Sequence, residues 1–359
     1  MSRFVLDCAV RRPVTGTAAQ WHATALQRGW AGPAAGYHEG RISGALLEQS
    51  TATMAALFGA RSAWFAPDSG AALRGAVDDL LRLGPHACLA TSQTDPLALQ
   101  DTLLSAARAA GVPGLVLPVD SSARIDQGAL TDLPTPAILA TGAGNQEIGT
   151  RQTDLRSWAE DTGSALVLDA SCTLGWVDTP RGWSRLLLDA RAWGSVPGAV
   201  AVVSTGSPPA VEFDNVPAAV VAGLATEHWL AHSGDAARTV RTQVAHIARQ
   251  AAARLTGVEI RGGGPDDLPH ILSISVLYVD AEVVQSRLDA LGYAVGSGSA
   301  CAARSGQPSH VLAAIGGLTS GNVRVGLPPG LPDEVVAGFV DALVDVVDQV
   351  RSEMGTRDL

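Results

Sequence analysis

Short runs rich in Val, Leu and Ala alternate along the chain with longer stretches whose apolar residues recur every three to four positions. That alternation is the pattern of an α/β layer architecture with a mainly parallel sheet. The runs Ser62–Ala66, Ala87–Thr91, Gly114–Pro118, Ala137–Thr141, Ala165–Ala170 and Ala199–Ser204 predict strands, and Gly70–Leu83, Pro96–Ala110 and Asp154–Thr162 predict the helices between them. Beyond Val216 the pattern changes. Two long helices, Pro217–His232 and Asp235–Leu255, lead into antiparallel strands at Val258–Arg261, Ile271–Leu277, Tyr293–Ser297 and Asn322–Leu327, interleaved with helices Ala281–Leu291, Ser309–Ile315 and Asp333–Arg351. The Gly- and Pro-rich stretches Gly262–Asp267 and Pro328–Pro332 read as loops, and no internal repeat is present. The chain therefore divides into a large α/β domain over residues 1–233 and a small α+β domain over 234–359.

Composition narrows this picture. With 359 residues, 47% hydrophobic and 17% charged, the chain has ample material for a buried core and does not have the make-up of a disordered protein. A net charge of −10, with no run of basic residues, excludes nucleic acid as a direct partner. No stretch of about 18 apolar residues and no signal-peptide succession is found, so the reading is a cytoplasmic protein without a membrane partner. Cys8, Cys88, Cys172 and Cys301 are too widely spaced for a zinc site or a disulfide framework. All 25 residues of the Lys+Arg total are arginine, so chemistry that needs an ε-amine is excluded.

Several segments, taken in order, resemble the cysteine desulfurases, a branch of the class V aminotransferases with the fold-type I architecture of pyridoxal-phosphate (PLP) enzymes. They are GNQEIGTRQ at Gly144–Gln152, LVLDASCTLGWVD at Leu166–Asp178, DNVPAAVVAGLA at Asp214–Ala225, and the C-terminal set LPHILSISVLYVDAEVV, GSGSACAARSGQPSHVL and NVRVGL. The resemblance implies a large domain built on a mainly parallel, seven-stranded-type sheet and a small C-terminal α+β domain. It also implies a dimer, since the family's cofactor site straddles two subunits.

In that family a lysine holds PLP as a Schiff base, an aspartate keeps the pyridine nitrogen protonated, and a cysteine takes sulfur from the substrate. Carried onto this sequence, the lysine position is Arg191, whose guanidinium is always protonated and forms no aldimine. Asp169 matches the aspartate. Cys172 stands where a glutamine bonds the pyridine hydroxyl, and Gln146 stands for the second asparagine of the NNEIG block. The phosphate turn reads Ser69-Gly70-Ala71-Ala72 without its threonine, Phe213 replaces the threonine of the partner loop, and Pro96 takes the stacking histidine's place. On the substrate side, Cys301 matches the sulfur-accepting thiol and Arg324 the arginine that clamps a carboxylate. For Asp169 the alternative is a capping role in a local turn, and for Arg324 an ion pair within the small domain.

These substitutions imply a desulfurase-like protein with no cofactor expected, PLP being compatible only with non-covalent binding anchored by Asp169 and Arg191. Its role would be that of a sulfur-accepting or regulatory partner in sulfur transfer, with Cys301 as persulfide carrier, either as a homodimer or paired with an active desulfurase. An enzyme acting on an amino acid through non-covalent PLP and a non-catalytic scaffold are the alternatives.

Overall fold

The computed structural model describes residues 3–297 and 308–356. Its centre is a seven-stranded sheet formed by β2 (Ser62–Ala66), β3 (Cys88–Ser92), β4 (Gly114–Leu117), β5 (Ala137–Gly142), β6 (Ala165–Asp169), β7 (Arg185–Asp189) and β8 (Val200–Ser204), in the order β2-β8-β7-β6-β5-β3-β4. Only β8 runs antiparallel to its neighbours. The expected fold-type I, mainly parallel α/β architecture is thus present.

Side chains alternate across this sheet because successive residues of a strand point to opposite faces. Val167, Leu187 and Val202 pack with Leu73, Leu80 and Leu103 of α3 (Ser69–Leu83) and α4 (Leu97–Ala110). Leu166, Leu168, Leu186 and Leu188 face the main core, to which the long helix α7 (Val216–Arg254) contributes Ala218, Val221 and Ala222. Helices α1 (Gly16–Arg28) and α2 (His38–Leu57) pack on that helix. Between β4 and β6 lie two short helices, α5 (Gln127–Thr131) and α6 (Arg156–Thr162).

Strand β7 does not figure among the runs expected from the pattern. It opens on Arg185, which is 1% exposed. A buried guanidinium needs a buried partner, and Asp79 of α3 supplies it, accepting from Arg185 Nη2 at 2.5 Å and from Nε at 3.1 Å.

The two helices expected at Pro217–His232 and Asp235–Leu255 are one helix of 39 residues. Ser233-Gly234 reads as a break, yet Ser233 is buried and a side chain at Gly234 would meet open space. An interior glycine costs a helix about 1 kcal/mol, which the packing on both sides outweighs. Residues 233 and 234 lie within this helix.

The C-terminal part carries an antiparallel sheet of β9 (Val258–Gly262), β10 (Ile271–Val276) and β12 (Asn322–Gly326), ordered β12-β10-β9. Around it lie α8 (Ala281–Ala290), α9 (His310–Ala314) and α10 (Asp333–Glu353). The strand expected over Tyr293–Ser297 is shorter. β11 (Tyr293–Ala294) pairs in parallel with β1 (Phe4–Val5), and Gly296 forms an isolated bridge with Arg324. Among the described residues no helix is long and apolar enough to cross a membrane.

Candidate functional site

The carboxyl ends of parallel strands leave a crevice in which α/β proteins bind ligands. Here that crevice is a cavity of about 460 Å³ into which β6, β7, the start of α3, the loop at Gln146, β12 and the N-terminal segment all bring side chains. It gathers Asp169, Gln146, Arg191 and Arg324, four of the residues singled out from the sequence. Cys172 lines an adjoining recess that shares Asp169 and Gln146. Cys301 lies outside the described residues.

Arg191 sits on the 3-10 turn Ala190–Trp193 that follows β7. Its Nε donates to both oxygens of Asp189 at 2.9 Å, and its Nη2 also bonds Asp189. This bonding, with the charge of Asp68 nearby, pushes the arginine's pKa further up. Arg191, expected as an anchor for non-covalent PLP, is ion-paired with Asp189 at the start of its own turn.

Asp169 accepts from the Ser171 backbone N–H at 2.9 Å, which is the turn-capping geometry. Burial pushes its pKa up, and Asp189 adds to the rise. Cys172 donates to the Gly144 carbonyl at 3.3 Å. Burial, then the charge of Asp169, drives its thiol far above the usual range, so it is no nucleophile. Cys8 and Cys88 are buried as well.

Arg324 donates through Nη2 to Asp7 at 2.7 Å, and its buried Nε has no partner among the described residues. The ion-pair alternative thus describes the Nη2 side of the guanidinium, while Nε is buried without a partner among the described residues.

Charged residues that sequence reasoning missed complete the site. Asp95 is buried and accepts from Thr91 Oγ1 at 2.9 Å, Ser92 N at 2.8 Å, Thr141 Oγ1 at 3.0 Å and Gly142 N at 2.8 Å. Burial nevertheless raises its pKa to about 6. Glu147 accepts from Ser309 Oγ, which caps α9. Burial lifts Glu147 to about 7 against that hydrogen bond and the charge of Arg324. His310 Nε2 donates to the Asp95 carbonyl at 3.0 Å, which puts its proton on Nε2. Asp95 stood in the sequence between two polar strand-end residues and a proline, a signal that only the proline's position drew attention away from. Gly296, just after β11, bridges to Arg324, and Ser309 bonds Glu147.

At the phosphate turn, Asp68 caps α3, its Oδ1 accepting from Ala71 N at 2.9 Å. A carboxylate already complements the positive end of the helix dipole. Phe213 is buried against Phe65, with ring centroids 5.8 Å apart, and so belongs to the core.

No protein-family profile matches the chain. It is 27% identical over 142 residues to a cysteine desulfurase of Trichormus azollae, covering 39% of this chain and 36% of that protein. It is 38% identical over 97 residues to a putative cysteine desulfurase of Bacillus subtilis, covering 26% and 25%. These matches span about a third or less of the relatives' length. Among solved structures, a NifS-like protein superposes with a TM-score of 0.84 at 17% identity, covering 97% of this chain and all of the other. The apo cysteine desulfurase of Thermococcus onnurineus superposes at 0.82 with 14% identity, covering 97% and 95%.

These matches correct the expectation that no cofactor belongs to this protein, because cysteine desulfurases are PLP-dependent enzymes. Asp169 fits the pyridine nitrogen of that group. The remaining residues do not fit its other end. Asp68 occupies the helix terminus where a phosphate would bind, Arg191 is held by Asp189, and the chain has no lysine for the aldehyde.

Proposed function

We propose that this chain, similar to cysteine desulfurases over about a third or less of their length and alike in fold to solved ones, serves sulfur transfer as a sulfur-accepting partner of an active desulfurase, with Cys301 as the persulfide carrier. The observation that carries this reading is the Arg191–Asp189 ion pair in the position of the family's aldimine lysine. A guanidinium so bonded is neither a nucleophile nor a base, so Arg191 does not move the substrate protons that the family's lysine moves. What remains useful to sulfur transfer is a thiol in a Gly-, Ser- and Ala-rich segment with Arg304 nearby in sequence.

The transfer balances without an oxidant. The Cys301 thiolate attacks the outer sulfur of the partner's cysteine persulfide, a new S–S bond forms, the old one breaks, and the partner's cysteine leaves as a thiolate. The test mixes the protein with an active desulfurase and cysteine and reads the intact mass under non-reducing conditions. The proposal expects one added sulfur on the wild type and none on Cys301→Ser. A wild type that gains no sulfur, or a Cys301→Ser variant that gains it equally, overturns it.

A further inference from the structure

Helix α9 belongs by sequence to the C-terminal part, yet it is seated on loops of the large sheet. Its Val311 and Leu312, with Ile315 just beyond, pack with Ile148 after β5 and Ala123 after β4, all of them buried. Ser309, 2% exposed, caps the helix through its Oγ, which accepts from Leu312 N at 3.2 Å. The same hydroxyl donates to the buried Glu147 carboxyl, one residue before Ile148. His310 adds a third tie, its Nε2 donating to the Asp95 carbonyl at 3.0 Å.

The chain is fixed a second time at Gly296. Its backbone exchanges hydrogen bonds with that of Arg324 on β12, 2.9 Å in each direction. It also lies so close to the Arg324–Asp7 ion pair that a Cβ there would meet Asp7 Oδ1 at 2.5 Å and Arg324 Nη2 at 2.8 Å. Arg324 bears on the first fixed point as well, since its charge acts on Glu147. In sequence Cys301 stands between the two points, five positions after Gly296 and eight before Ser309. A thiol that must meet one sulfur of another protein reacts faster when the chain on both sides of it is held, because less freedom is lost at the encounter.

We propose that Glu147 is a positioning residue for sulfur transfer at Cys301: accepting from Ser309, it holds the C-terminal end of the thiol-bearing segment, as the Arg324–Asp7 pair holds the other end. This rests on the reading of Cys301 as the persulfide carrier. The anchor is sensitive to pH. The charged and titratable groups on the elements packed around it are Arg324 from β12, His310 from α9 and Asp95 from the turn after β3. Arg324 stays charged, and His310 donates from Nε2 both in this tautomer and when protonated. Burial holds Glu147 neutral up to about pH 7, so raising the pH through that range favours the unseated helix, in which the carboxyl regains water. Asp95, raised to about 6, adds a dependence of its own that Glu147→Gln retains, so the difference between wild type and Glu147→Gln reports Glu147.

The test follows hydrogen exchange and sulfur uptake in the full chain. Glu147→Leu removes the acceptor and Glu147→Gln keeps it. In Glu147→Leu the amides of Ala313 and Ile315, both bonded within α9, should exchange at least about tenfold faster than in the wild type, with those of β5 unchanged. Between about pH 5 and about pH 7.5, α9 protection corrected for intrinsic exchange should fall on the order of tenfold more in wild type than in Glu147→Gln. Mass gain from an active desulfurase supplied with cysteine should slow on the order of tenfold in Glu147→Leu and in Ser309→Ala, and no further in the double variant. Glu147→Gln should slow it by less than about threefold, and alkylation of Cys301 by iodoacetamide, which needs no docked partner, should change as little in every variant. Alkylation of the buried Cys8, Cys88 and Cys172 would reveal an unfolded Glu147→Leu, and Ser309→Ala then carries the test. A wild type that takes no sulfur overturns the carrier reading and this role with it. Sulfur uptake as fast in the two single variants as in a competent wild type overturns the positioning role alone, as do unaltered α9 exchange, equal acceleration in β5, or a Glu147→Gln as slow as Glu147→Leu.

Discussion

Three carboxyl groups around the cleft, Asp95, Glu147 and Asp169, have pKa values raised by burial. Glu147 is the most informative because its value of about 7 lies well above the ordinary 4.5. A carboxyl raised on folding contributes stability that is full below its unfolded pKa and is lost as the pH rises through its folded one. Wild-type protein should therefore lose stability from this group between about pH 4.5 and about pH 7. Glu147→Gln keeps an oxygen to accept from Ser309 and cannot ionise. Its unfolding midpoint relative to wild type should rise as the pH is raised through this window, measured in buffers of matched ionic strength. A difference that stays constant with pH would contradict the assignment.

At the scale of elements, the continuity of α7 depends on what it meets. Trp229 of that helix donates through Nε1 to the Leu174 carbonyl at 2.7 Å, and the turn it reaches contains Gly175 at φ +75. A Cβ there would lie 2.3 Å from Trp229 Nε1 and 2.8 Å from Ser233 Oγ. Gly175→Ala therefore combines left-handed backbone strain with overpacking, each costing about 1–3 kcal/mol. Urea unfolding should show a loss of at least about 2 kcal/mol. A loss below about 0.5 kcal/mol would mean that the turn and helix adjust without cost. The same packing explains why Ser233-Gly234, a helix stop by local propensity, lies inside a helix: Ser233 is buried against this turn.

At the scale of the molecule, the N-terminal segment joins the two parts. Phe4 N bonds Gly292 O at 2.8 Å, Leu6 N bonds Ala294 O at 2.7 Å and Cys8 N bonds Gly326 O at 2.9 Å, while Arg12 N bonds Arg191 O at 2.8 Å beside the cleft. Asp7, half-way along, holds Arg324. Farther on, the Arg12 guanidinium lies over Trp176 and Trp229, 4.8 and 4.3 Å from the ring centroids. Asp7→Asn removes the charge that neutralises Arg324 and should loosen this strap first. Hydrogen exchange at the amides of Leu6 and Cys8 is expected to speed at least tenfold, with exchange in β5 and β6 unchanged. Uniform acceleration across the sheet would instead mark a global loss of stability.

Local pattern was enough for the layer architecture, for most strands of the large sheet and for the missing amine, because strand and helix periodicities and the identity of a nucleophile are properties of short segments. The runs at Ala137–Thr141 and Ala165–Ala170 carry their own burial signal, and Arg191 is visibly not a lysine. Tertiary structure decided what the remaining charges do. Arg185 made β7 legible only once Asp79, 106 positions away, was seen to neutralise it. Asp95, Glu147 and Asp189 drew no attention in the sequence because a carboxylate's role follows from its burial and its partners, and those partners come from other elements. The same holds for Arg324, where the chain supplies a guanidinium but the fold supplies Asp7. Electrostatic energy depends on distance and dielectric, and neither is written in the order of residues.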